Sequence, residues 1–156
     1  MSPQPQAADR RVASNRKARY DYHVLESFEV GIELRGTEVK AVRDGQIALA
    51  GGYAAIRDGQ LVLHSVNIAP YKFGNQFNHD PLRPRRLLMH HNEIDRLAGH
   101  LARKGSTLVP LSCYFNKRGL IKIELGLCRG KQDPDKREAL RRKMSDDEAR
   151  RAMSRR

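Results

Sequence analysis

Tyr22-His23-Val24-Leu25-Glu26-Ser27-Phe28-Glu29-Val30-Gly31-Ile32-Glu33-Leu34 is the stretch on which the fold turns. Tyr22, Val24, Phe28, Val30, Ile32 and Leu34 fall on one parity, and His23, Ser27, Glu29, Gly31 and Glu33 on the other. Successive side chains of a strand point to opposite faces, so the pattern predicts a long strand with one face in a core and one in water. Leu25 and Glu26 break the phase, which places a β-bulge there. Gly36 ends the strand. Thr37 can then cap a short helix through Arg43 that packs Val39 and Val42 and stops at Gly45.

Working outward, Tyr53 to Leu63 reads as a hairpin, because Asp58-Gly59 supplies the positive φ of a type I′ turn. A second hairpin joins Leu108–Asn116 to Leu120–Arg129 through Lys117, Arg118 and Gly119. Between them Asn92 caps a helix whose Ile94, Leu97, Ala98 and Leu101 form one apolar stripe and which Gly105 terminates. Ser65 to Arg86 is irregular, with Pro70, Gly74, Asn75, Asn78, Pro81 and Pro84. Long irregular segments inside compact domains are usually functional. Short strands in hairpins with two amphipathic helices predict a mainly β fold, a small closed antiparallel barrel of the oligonucleotide-binding type. An open α+β sheet is the alternative.

The charge balance narrows the partner. Thirty Lys and Arg oppose eighteen Asp and Glu, a formal net charge of +12. A polyanion relieves that self-repulsion and releases counterions as it binds. No run approaches the roughly 20 apolar residues of a membrane span. Met1 to Asp9 lacks the basic start and apolar run of a signal peptide, so the cytoplasm is the expected compartment. Cys113, read with Val109, Leu111 and Phe115, and Cys128 fall on opposite sheet faces, which predicts two free thiols.

Few residues invite catalysis or metal binding. His90 and His91 are adjacent, and adjacent strand residues point apart, so they do not share one ion. No HExxH, GxSxG or P-loop motif accompanies them or His79-Asp80. Neither an enzymatic centre nor a cofactor is expected. The basic clusters say more. Asn15-Arg16-Lys17-Ala18-Arg19-Tyr20 sets cations and a ring before the first strand, and Arg83, Arg85 and Arg86 follow Tyr71, Phe73 and Phe77. Cations meet phosphates and rings stack on unpaired bases, so the pair of clusters points to RNA.

Three regions result. Residues 1–14 read as a disordered leader, 15–129 as the barrel domain, and 130–156 as a basic tail. Asp133-Pro134 is a helix start, and Ser145 with Glu148 makes a capping box for a last short helix. Leu140, Met144, Ala149 and Met153 are too few to offset ordering at about 1–2 kcal/mol per residue, so the free tail is expected to be disordered.

Taken in order, Asn15-Arg16-Lys17-Ala18-Arg19, Phe28-Glu29-Val30-Gly31, Gly36-Thr37-Glu38-Val39-Lys40, Phe77-Asn78-His79-Asp80-Pro81-Leu82-Arg83-Pro84-Arg85, Tyr114-Phe115-Asn116-Lys117-Arg118-Gly119 and Asp135-Lys136-Arg137-Glu138 resemble the SsrA-binding protein family, small protein B. The resemblance implies a barrel with two or three flanking helices that binds the tRNA-like half of transfer-messenger RNA and carries it into stalled ribosomes for trans-translation. It implies RNA contacts at Asn15, Arg16, Lys17, Arg19, Tyr20, Glu29, Leu88 and His90. In the tail it implies ribosome contacts at Gly130, Lys131, Asp135, Lys136, Arg137 and Met153, with a helix formed in the decoding region and mRNA channel. It further implies a monomer that meets elongation factor Tu through the RNA. Gln132 stands where the family commonly repeats Lys. Pro134 stands where it has His or an aromatic, and a proline cannot stack on a base as an imidazole or phenol can. Two other readings stay open, a module for ribosomal or single-stranded RNA and a nuclease built on His79, Asp80 or His90.

Overall fold

The computed structural model describes residues 10–74, 78–103, 105–131 and 133–154. The leader residues Met1 to Asp9, together with Asn75, Phe77 and Gln132, lie outside them. Strand β1 (Arg10–Ser14) runs into helix α1 (Arg16–Asp21), and β2 (Tyr22–Ile32) follows directly. Next come α2 (Gly36–Arg43), β3 (Ile47–Ala48) and the hairpin of β4 (Tyr53–Arg57) and β5 (Gln60–His64). Short strands β6 (Asn67–Ile68) and β7 (Arg85–Leu88) precede α3 (His91–Leu101). The long hairpin of β8 (Ser106–Phe115) and β9 (Ile121–Gly130) leads to α4 (Asp133–Ser154).

Antiparallel pairing closes a ring in the order β8, β4, β5, β7, β2, β9 and back to β8. This is the closed barrel that the hairpins predict. One edge of β8 is shared, meeting β4 at Leu108 and β1 from Ser112 to Phe115. Strand β1 therefore claims Arg10 to Ser14 from the expected disordered leader. Its backbone satisfies hydrogen bonds that β8 would otherwise expose. Both hairpin turns form as read. Asp58 and Gly59 have φ of 53° and 74°, and the Asn116 carboxamide oxygen accepts from the N–H groups of Arg118 and Leu120, each at 3.0 Å.

The ring interior holds Phe28, Val30, Leu61, Leu63, Leu87, Leu108, Ile123, Leu125 and Leu127, closed off by Val42 of α2 and Leu97 of α3. Each such side chain contributes about 1.5–3 kcal/mol by leaving water. Two bulges decide which residues face this core. The β2–β9 register shifts between Val24 and Glu26, so Tyr22 and Val24 lie outside the barrel while Phe28, Val30 and Ile32 lie inside. The single apolar face read from parity is thus split at the predicted bulge, since one extra residue reverses every side chain before it. The β8–β9 register likewise shifts between Pro110 and Ser112, at a proline that has no N–H to give the ladder. Val109 and Leu111 consequently join Cys128 in an outer cluster with Ala18 and Tyr22, while Cys113 and Phe115 face inward. Cys113 and Cys128 remain on opposite faces, both buried and free.

The irregular segment before β7 is organised by a buried ion cluster. Glu38 of α2 is fully buried, and both its oxygens are taken, Oε2 by Arg85 Nε at 2.5 Å and Oε1 by Arg83 Nη2 at 2.5 Å. Arg85 also donates to the carbonyls of Val66 at 2.6 Å and Pro81 at 3.0 Å. Burial would raise the Glu38 carboxyl, but the hydrogen bonds from Arg83, the Arg35 backbone and Arg85 outweigh it and hold the group below its ordinary value. Glu38 Oε1 accepts the Arg35 N–H at 2.8 Å, so the residue that precedes α2 is held by the helix's own first turn. Thr37 does not cap it. Its hydroxyl instead lies 2.8 Å from Nδ1 of the buried His79, whose Nε2 lies 2.8 Å from the Ile68 carbonyl. Because a carbonyl only accepts, the Nε2 N–H donates to Ile68, and Nδ1 pairs with the Thr37 hydroxyl. Helix α3 starts at His91, with His90 rather than Asn92 at its cap position.

Beyond the barrel, α4 runs unbroken through Ser145, where the sequence predicts two separate helical pieces in a tail disordered when free. Its Arg, Lys, Glu, Ala, Leu and Met residues are strong helix formers, and Asp146–Arg150 and Asp147–Arg151 are spaced as favourable acid–base pairs. Leu140 and Met144 nevertheless stay exposed. The helix is an arm attached at its root, built from local propensity and little burial.

Candidate nucleic-acid interface

The outer face of β7, β2, β9 and β8 gathers most of the residues singled out in the sequence. Helix α1 lies over this face at its β9 end, because Ala18 packs with Val109, Leu111 and Cys128. Gly126 makes room for that packing, since a Cβ there would come within 2.8 Å of Leu111 Cδ1. The Asn15 side chain is buried. Its oxygen accepts the Ala18 N–H at 3.1 Å and its nitrogen donates to the Pro110 carbonyl at 2.9 Å. Asn15 thus caps α1 and ties it to the β8 bulge, with its polar atoms engaged within the fold. Arg16, Lys17, Arg19 and Tyr20 project outward and are exposed.

Polar side chains continue from α1 across the sheet. Arg19 Nη2 sits 3.2 Å from Glu124 Oε1, which also accepts the Ser112 hydroxyl at 3.1 Å. Glu29 stands opposite Glu124 in the β2–β9 register, and Oε2 of Glu29 accepts the hydroxyl of the buried Tyr114. Lys122 is opposite both Tyr114 and Gly31. Gly31 pairs with Leu88, whose side chain lies over it so closely that a Cβ on Gly31 would stand 3.2 Å from Leu88 Cβ. Gly31, Leu34, Val39, Arg43, Leu88 and Lys122 border a groove of about 340 Å³. Arg86, Leu88 and His90 are exposed on alternate positions at this margin.

The basic cluster at the start of β7 therefore divides. Arg86 is on the surface, whereas Arg85 is 1% exposed and Arg83 shares its carboxylate. Arg85 is enclosed, while Arg83 remains partly exposed. A buried Glu38 demands cationic partners, and Arg83 and Arg85 supply them. Conversely, Tyr114, Glu124, Ser112 and Lys122 belong to the face and were not singled out as site residues. They alternate with the inward Cys113 and Phe115 of β8 and the inward Ile123 and Leu125 of β9.

The tail is rooted beside the same helix. Gly130 pairs with Tyr22. The Lys131 N–H donates to the Asp21 carbonyl at 2.9 Å, and its ammonium to the Arg19 carbonyl at 3.3 Å. A cation suits the negative carbonyl end of α1. Arg137 is exposed on α4, while the side chains of Asp135, Lys136 and Met153 fall outside those described.

The chain is similar to known proteins along nearly its whole length. It is 54% identical over 127 residues to the SsrA-binding protein of Moorella thermoacetica, covering 81% of this chain and 82% of that one. It is 48% identical over 152 residues to the SsrA-binding protein of Latilactobacillus sakei, covering 97% of each. Its fold is similar to a chain of a solved structure described as "tmRNA-SmpB: a journey to the center of the bacterial ribosome", with a TM-score of 0.66 and 50% identity over 83% of this chain and 94% of that chain. The family model described as SmpB protein matches residues 12–155, from within β1 through the barrel, the polar face and the tail. With both the ring of strands and the rooted arm inside that match, the chain belongs to the SmpB protein family.

Proposed function

We propose that this protein is an adaptor that holds the tRNA-like part of transfer-messenger RNA on its α1–β2–β9 face and delivers it to stalled ribosomes, where the basic arm α4 occupies the empty decoding region and mRNA channel. The observation that carries the reading is the composition of that face. Exposed Arg16, Lys17 and Arg19 and the ring of Tyr20 share the face with Glu29, a half-buried carboxylate opposite the Arg19-paired Glu124. Phosphate attraction explains the cations but not the carboxylate. A carboxylate accepts hydrogen bonds from a guanine edge or a ribose hydroxyl, and so reads RNA rather than merely attracting it. The names of the relatives and of the structural neighbour support the same partner.

The adaptor performs no chemistry of its own in this reading. His79 holds Thr37 to the Ile68 carbonyl. Its ring is spent on joining α2 to β6, not offered to a substrate. The cytoplasm follows from the ribosomal partner. Among the described residues no helix is long and apolar enough to cross a membrane.

The test is to isolate the protein from its own cells and sequence the RNA that accompanies it. Transfer-messenger RNA is expected to dominate, and the complex should survive an excess of bulk tRNA. Recovery of mixed single-stranded RNA that bulk tRNA displaces would replace the adaptor with a general RNA-binding module.

A further inference from the structure

The segment between β6 and β7 presents a second surface that shares no residue with the sheet face. The rings of Tyr71 and Phe73 meet edge to face with centroids 5.5 Å apart, and Phe73 is 69% exposed. Lys72 Nζ lies 5.0 Å over the Phe73 ring, and Lys40 Nζ of α2 lies 5.5 Å over the Tyr71 ring. Arg83 and Arg85, the cations that follow these aromatics in the sequence, are withdrawn to Glu38. The lysines stand in their place.

The turn that carries the rings is braced. The Asn78 side chain accepts the Tyr71 N–H at 3.1 Å and donates to the carbonyls of Tyr71 and Gly74, each at 2.7 Å. The Gly74 N–H closes the turn on the Tyr71 carbonyl at 2.8 Å. Gly74 is itself required, because a Cβ there would lie 2.9 Å from Asn78 Nδ2. Beside Tyr71 and Lys72 a groove of about 480 Å³ is lined by Ala41, Asp44, Gln46 and Pro70. An exposed ring on a braced turn, rimmed by two ammonium groups, suits a flat partner that carries negative charge. A base stacks on the ring while its phosphate meets a lysine.

We propose that Tyr71, Lys72 and Phe73, with Lys40, form a stacking platform for an unpaired nucleotide of the same RNA that the sheet face holds. This rests on the function proposed above. Continuity supplies the common ligand. Val39 and Arg43 of α2 border the groove that contains Leu88 and Lys122, while Ala41 of the same helix borders the groove beside Tyr71. A helix is about 10–12 Å across with its side chains. The two grooves therefore flank one helix, the first beside Leu88 and the second beside Tyr71 and Lys72.

The experiment compares full-length variants for binding to a transcript of the tRNA-like domain at one fixed salt concentration, since phosphate binding is salt-dependent. Phe73→Ala and Phe73→Leu should each weaken binding by about tenfold, and Phe73→Trp should keep it. Phe73 is exposed, so none of these variants threatens the fold. Glu29→Arg is measured beside them. If Glu29→Arg weakens binding and Phe73→Ala does not, the platform is wrong and the sheet-face reading stands. If neither variant changes the affinity, both fall. A benzophenone amino acid placed at Phe73 should cross-link to an unpaired nucleotide of the transcript. Cross-linking on assembled ribosomes to ribosomal RNA or protein alone would overturn the shared ligand.

Discussion

Glu29 and Glu124 stand directly opposite each other on β2 and β9, two carboxylates in one cross-strand pair. Like charges so placed destabilise a sheet by about 0.2–1 kcal/mol, and each is managed differently. Glu124 is turned toward Arg19 and Ser112, while Glu29 accepts only a neutral hydroxyl from Tyr114 among its described hydrogen bonds. Glu124 is thereby tied to Arg19 and Ser112, and Glu29 to Tyr114.

Glu29→Gln retains an acceptor for Tyr114 and removes the like-charge opposition, so thermal stability should hold within about 0.5 kcal/mol. Binding to the tRNA-like domain should nevertheless weaken by about tenfold, the loss of a charge-assisted hydrogen bond. Glu29→Arg should also weaken it despite raising the net charge. Titrations of both variants with melting curves check this, and tighter specific binding by Glu29→Arg would reduce the site to electrostatics.

Arg85 and Arg86 are adjacent in sequence and opposite in consequence. Arg85→Met leaves Glu38 without one buried partner and should cost about 3 kcal/mol of stability. Arg86→Ala should change stability by less than about 0.5 kcal/mol while flattening the salt dependence of RNA binding by about one phosphate contact. Denaturant unfolding and a salt series separate the two effects.

Stability should fall at both ends of the pH scale. The Glu38 carboxyl lies below its ordinary value of 4.5 in the fold. Its contribution is complete above about that pH and is lost as the pH drops through the lowered native value. Burial pushes Cys113 up to about 12 and Cys128 up to about 11 from 9.0. The unfolded thiols ionise first, so stability declines as pH rises past 9.0 toward those values. Unfolding midpoints across pH test both limbs. Glu38→Gln should remove the acid-side contribution, and native thiols should resist alkylation at neutral pH.

Much of this molecule is written in local signals. Asp58-Gly59 and Gly119 mark their turns, and the broken phase at Leu25 marks the first bulge. What parity misses is the consequence of a bulge, which moves Tyr22 outward from Phe28 and Leu111 outward from Cys113. The face bearing Arg16, Lys17, Arg19, Tyr20, Glu29, Leu88 and His90 is legible as residue types joined by family resemblance. The burial of Asn15 and Arg85 is not legible locally, because it depends on Pro110 and Glu38, far away in sequence. Tyr114 stays hidden for the same reason. Its partner Glu29 lies 85 positions earlier.

The division between grip and arm is tested most directly by removing residues 133–156, which leaves Lys131 on the carbonyls of Arg19 and Asp21. Affinity for the tRNA-like domain, measured beside the full chain at equal salt, should be nearly unchanged, while peptide tagging on stalled ribosomes ends. Loss of RNA binding in the shortened chain would contradict the account, because the arm would then belong to the grip.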